Sequence, residues 1–247
     1  MFIVLAIVGI IPVMVGLLWL PFIKRISKVK YNFFLAITVG LLLFLGIDAI
    51  EEAVEVSDDF LAPSFNGALL VATVVILSFL GLYYSGNKLI DRARSSPYSK
   101  PAALGLMIAI GIGLHNFGEG LAIGAAVGLG QIAFSTFLIV GFTLHNTSEG
   151  FAIAAPMAKG KLMIGKLFAM GLIAGTPAIF GAWLGGFVYS PFTAIVFLSI
   201  GAGAIFQVIV AILRWIREEG DKGLSSASVA AGIATGMMIM YLTSILV

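Results

Sequence analysis

Leu114-His115-Asn116-Phe117-Gly118-Glu119-Gly120 and Leu144-His145-Asn146-Thr147-Ser148-Glu149-Gly150 decide how this chain is read. Both spell L-H-N-x-x-E-G, and together they hold both histidines of the sequence. Each copy sits in a long apolar run, where an ionisable side chain is costly and marks a functional site by default. On a helix, His115 and Glu119 are i and i+4, while Asn116 and Glu119 are i and i+3, so the three share one face. The same spacing relates His145, Asn146 and Glu149.

The surrounding composition sets the class. Of 247 residues, 60% are apolar and 11% charged, and the mean hydropathy is +1.12. A soluble domain of this length is about a quarter charged, so the chain is expected to be an all-α polytopic membrane protein. A transmembrane β-barrel would show alternating ten-residue segments, which are missing. The net charge of +2, with no basic stripe interleaved with aromatics, argues against a nucleic-acid partner. With no cysteine, disulfides, thiolate metal ligands and thiol catalysis are excluded. The N-terminus begins directly with an apolar run. It lacks a basic leader and a small-residue cleavage site, and so reads as a first membrane helix.

Eight apolar spans of about 20 residues or more are predicted. They cover roughly 2–23, 31–55, 64–87, 101–128, 131–157, 162–188, 191–213 and 225–247, within one transmembrane domain over 1–247. All 14 Lys and Arg then fall on one side. They are Lys24, Arg25, Lys28 and Lys30; Lys88, Arg92, Arg94 and Lys100; Lys159, Lys161 and Lys166; and Arg214, Arg217 and Lys222. The positive-inside rule puts these loops in the cytoplasm and both termini outside, in a multi-pass protein of a cell (plasma or inner) membrane. An incorrect span count would scatter the basic residues over both sides. Opposite them lie Asp48, Glu51, Glu52, Glu55, Asp58 and Asp59 around the end of span 2. Asp48, Glu52 and Glu55 share a helical face at i, i+4 and i+7, which fits either a cation-collecting mouth or a solvated helix end. Gln207, the lone strong polar residue inside span 7, fits either a hydrogen bond across a helix interface or a place lining the path or assisting the metal. Pro156 and Pro177, with the glycines of span 6, read as ordinary membrane-helix composition or as the border of a cavity.

The link between spans 4 and 5 centres near Leu129-Gly130. At 1.5 Å rise per residue both histidines lie ~22 Å from it, so a tight antiparallel hairpin sets them level, near mid-helix. Two imidazoles, two carboxylates and two amide oxygens can then converge. The predicted ligands are His115, Asn116, Glu119, His145, Asn146 and Glu149. This donor set suits a divalent transition metal, and the lack of sulfur suits an ion that must leave again. Gly120 and Gly150 permit close helix approach.

The paired H-N-x-x-E-G on spans 4 and 5, together with the eight-span layout and outside termini, resembles the Zrt/Irt-like (ZIP) metal transporters. The resemblance covers essentially the whole chain. It implies that the six motif residues form an intramembrane site and that divalent metal is taken into the cytoplasm. The metal, with zinc first and iron, manganese, cobalt or cadmium also allowed, is bound as substrate rather than as a prosthetic group. It further implies a homodimer and an elevator-like movement of spans 1, 4, 5 and 6 against 2, 3, 7 and 8.

Departures from the family pattern narrow this. Gly118 and Ser148 stand where a proline often precedes the motif glutamate, and span 6 reads Gly175-Thr176-Pro177-Ala178-Ile179-Phe180-Gly181, without the acid that bridges two metals in many members. A single-metal centre built mostly by spans 4 and 5 is therefore expected. Span 2 reads Gly46-Ile47-Asp48-Ala49-Ile50-Glu51-Glu52 in place of the usual His and Pro-Glu, and the long His-rich loop of many members is absent. Two other functions use the same residues. A membrane metalloenzyme is disfavoured because a di-iron bundle draws Glu from four helices and H-E-x-x-H is missing. A proton or cation channel would conduct without transition metals. The expectation is a carrier, not an enzyme.

Overall fold

The computed structural model describes residues 2–60, 66–93, 99–158, 164–188, 190–219 and 226–245, and every regular element among them is helical. The helices are α1 (Phe2–Leu17), α2 (Leu20–Ile23), α3 (Lys28–Phe60), α4 (Gly67–Ala93), α5 (Ser99–Gly128), α6 (Ile132–Met157), α7 (Ile164–Phe187), α8 (Pro191–Glu219) and α9 (Ala227–Ile245). Six of them, α3, α4, α5, α7, α8 and α9, are long and apolar enough to cross a membrane. The all-α membrane class expected from composition is thus found. Arg94, Lys159, Lys161 and Lys222 lie outside the described residues.

The first predicted span, 2–23, is not one helix. It breaks at Leu18-Trp19, and α2 begins with Pro21 in its first turn. Proline has no N–H to give the carbonyl four residues back, and its ring crowds that carbonyl. Leu17 is that residue, and α1 ends there.

The helices sort into two groups by packing. In one, α1 lies on α6 and α7, and α5 lies on α7 and α6. In the other, α3 packs on α8 and α9, and α4 on α8. The groups meet mainly along α5–α8, with α3–α6 as a second seam. Leu35, Leu42, Leu45, Ile108, Ile112, Ile153, Ile205 and Ile212 are fully buried. Lipid is as apolar as these side chains, so close packing, rather than removal from water, must hold membrane helices together.

The glycines that end the two motifs supply that closeness. A Cβ on Gly120 would lie 2.1 Å from the Ala178 carbonyl oxygen of α7, and one on Gly150 would lie 2.0 Å from that of Val13 in α1. Any side chain there would push the helices apart. The partners are α7 and α1, so each motif helix is seated against another helix of its group. The α5–α6 link turns at Gly130, whose φ of +72° favours glycine. Gly130 N–H donates to Val127 O at 3.1 Å and Gln131 N–H to Ala126 O at 2.9 Å, closing off the α5 end.

Candidate metal site between the paired motifs

His115, Asn116 and Glu119 are buried on α5, and Asn146 and Glu149 are buried on α6. His145 is part of α6, but its side chain lies outside the described residues. Within the first copy, His115 Nε2 is 3.1 Å from Glu119 Oε1, the i to i+4 contact that the spacing predicts. Between the copies, Asn116 Nδ2 donates to Glu149 Oε2 at 3.0 Å. The hairpin therefore brings the two motifs into direct contact, in the middle of both helices.

Both asparagines are held through their amide N–H groups by carbonyls of other helices. Asn146 Nδ2 donates to Val8 O of α1 at 2.9 Å. Pro12 lies four residues after Val8, inside α1, and has no N–H for that carbonyl. Asn146 fills the vacancy from a position 138 residues away. Asn116 Nδ2 also donates to Ala174 O of α7 at 3.1 Å, three residues before Pro177. That proline leaves the Ile173 carbonyl, one residue before Ala174, without its helical donor. The side-chain oxygens are left over: Asn116 Oδ1 and Asn146 Oδ1 are buried and accept no hydrogen bond among the described residues. A buried acceptor without a donor is costly. A cation is a natural partner for it, because oxygen lone pairs are what a divalent metal takes from an amide.

Glu52 of α3 lies within electrostatic reach of His115 and Glu119, and His115 also feels Asp48 and Glu149. Carbonyls of α1 and α7 position the asparagines. Asp48, Glu51, Glu52 and Glu55 line an open cavity of about 460 Å³ between α3, α6 and α9, lined also by Phe44, Phe134, Phe142 and Met240. The shared face of Asp48, Glu52 and Glu55 is thus the wall of a cavity. The i, i+4 spacing of Asp48 and Glu52 was visible in the sequence, but nothing in it paired α3 with the motif helices. Gly201 of α8 backs the other side of His115; a Cβ there would sit 3.0 Å from the His115 Cα.

Among the described residues, Gln207 makes no interhelical hydrogen bond. It is buried, yet it borders a cavity of about 170 Å³ with Ser85 and Gly86 of α4 and with Met107 and Gly111 of α5. Asp58 and Asp59 are exposed at the end of α3 and take no part in the site. No group of three or more His, Asp or Glu side chains close enough to hold a metal occurs among the described residues, which do not include the His145 side chain. No protein-family model matches the chain, and a search of curated proteins finds no match.

Proposed function

We propose that this chain carries divalent transition-metal cations, zinc foremost, across a membrane into the cytoplasm. The site is His115, Asn116 and Glu119 with His145, Asn146 and Glu149. The observation that carries the reading is the Asn116–Glu149 hydrogen bond, which joins two identical motifs, together with two buried amide oxygens that accept no hydrogen bond. In this reading α1, extended by α2, and α6 also cross the membrane, giving eight crossings with the basic loops cytoplasmic and both termini outside.

The chemistry follows from the donors. Imidazole and carboxylate bind a divalent transition metal, and amide oxygens add weak ligands that release it. The cavity walled by Asp48, Glu51, Glu52 and Glu55 gathers cations by its field and hands them inward. Glu52 offers a carboxylate to an ion shedding its water. With no acid on α7, one metal is carried at a time. Alternating access then comes from the α1, α5, α6, α7 group shifting against α3, α4, α8 and α9.

Uptake into vesicles bearing the wild type and His145→Ala tests this. The variant is expected to lose most zinc uptake. Equal uptake in both would sink the reading, and currents that persist without any transition metal would replace it with a channel.

A further inference from the structure

The two helix groups are parted at one end and tied at the other. At the end where α3 carries its acids, they stand apart around the 460 Å³ cavity, with α6 on one side and α3 and α9 on the other. At the opposite end, Lys100 Nζ at the start of α5 pairs with Glu218 Oε2 near the end of α8. The same ammonium sits 5.1 Å from the ring centroid of Trp215, a second hold on α8. Trp215 is buried, so this ring is a fixed surface. The end of α8 is anchored in its own group as well. Arg214 pairs with Tyr83 Oη, donates to Asn87 Oδ1 at 3.2 Å and lies over the Tyr83 ring, all on α4. Lys100 therefore grips a platform made of α8 and α4, across the seam between the groups.

We infer that Lys100 and Glu218, with Trp215 beneath the ammonium, form a latch that closes the basic end of the seam while the acidic cavity is open. The inference rests on the carrier reading above. If a bound cation is to leave at the basic end, α5 and α8 must part there, and this pair must break. An exposed pair is a weak tie, so it suits a gate that opens in each cycle. Losing it shifts a two-state balance about two- to five-fold.

The chain has no cysteine, so Lys100→Cys/Glu218→Cys creates the only thiols present. In vesicles, a short, reducible bifunctional thiol reagent is expected to cross-link α5 to α8 in this variant and cut zinc uptake at least ten-fold, with recovery on reduction. Cross-linked protein that still transports at the reduced rate overturns the latch and leaves the carrier reading standing. A wild type that moves no metal overturns the carrier reading instead, and the latch is then judged by accessibility. Ser244 lines the acidic cavity. In Ser244→Cys, labelling by a charged, impermeant thiol reagent is expected to slow two- to five-fold when Lys100→Glu is added, and to recover with Lys100→Glu/Glu218→Lys. Labelling that ignores both changes overturns the latch.

Discussion

Gly150→Ala is the sharpest single test of how the site is held. A Cβ at Gly150 would lie 2.0 Å from Val13 O and 2.8 Å from Val13 C, both in the backbone of α1. Carbon and carbonyl oxygen approach comfortably at about 3.3 Å, so α1 and α6 must separate by about 1.3 Å. Gly16 faces the same seam, with its own Cβ position 2.1 Å from Thr147 O, so neither backbone can yield by a local twist. The Asn146–Val8 bond, 2.9 Å long, crosses this seam. Stretched by that amount it passes about 4 Å and is no longer a hydrogen bond. The Val8 carbonyl, already denied a donor by Pro12, is then orphaned at a cost of about 1–3 kcal/mol. Gly81→Ala on α4 is the matched control, because nothing lies within 4 Å of its Cβ position. There the helix propensity of alanine is expected to stabilise by up to about 1 kcal/mol. Unfolding of both variants in detergent, with zinc uptake alongside, gives the comparison. Gly150→Ala should unfold more readily and lose uptake, while Gly81→Ala should do neither. Equal stability and equal uptake would refute the account of the α1–α6 seam.

Two further outcomes are expected. Metal must displace protons from imidazole and carboxylate ligands, so zinc uptake should fall as the medium is acidified from about pH 8 to about pH 5, where free histidine becomes charged; a flat profile would remove these ligands from the limiting step. Glu52→Gln and Asp48→Asn should raise the half-saturating zinc concentration several-fold while leaving the maximal rate within about two-fold, and added salt should shrink the difference, since screening acts on the open cavity; a loss confined to the maximal rate would contradict a gathering role.

Much of this architecture was legible because membrane helices announce themselves through length and apolarity, and because a doubled polar motif stands out in such runs. The His115–Glu119 contact followed from helical periodicity alone. So did the wall formed by Asp48, Glu52 and Glu55, though not where it faces. What local spacing could not give was which helices touch. Gly120 and Gly150 were read as permitting close approach, but only the packing pairs them with α7 and α1. The sequence leaves Gln207 either bonded across a seam or lining a path, and the packing sets it beside a cavity, since whether a buried amide meets a partner depends on neighbours far away in the sequence. The break after Leu17 was hidden because Leu18, Trp19 and Leu20 are as apolar as the rest, and only Pro21 marks it.

The asparagines explain why the two motifs need more than a histidine and a glutamate. An aspartate at 116 or 146 would bring a stronger metal ligand, but it has no N–H to give. At 146 the amide closes the gap left by Pro12 in α1, and at 116 it serves the carbonyl beside Pro177 in α7 while also binding Glu149. Each amide spends its donor on a carbonyl of a proline-containing helix and keeps its oxygen clear of any hydrogen bond among the described residues. Pro12, on the helix that presses against Gly150, thus orients the Asn146 oxygen, and the Ala174 carbonyl of α7 orients that of Asn116. Four helices are tied to one set of donors, so a displacement of any one of them must be felt at His115 and Glu149.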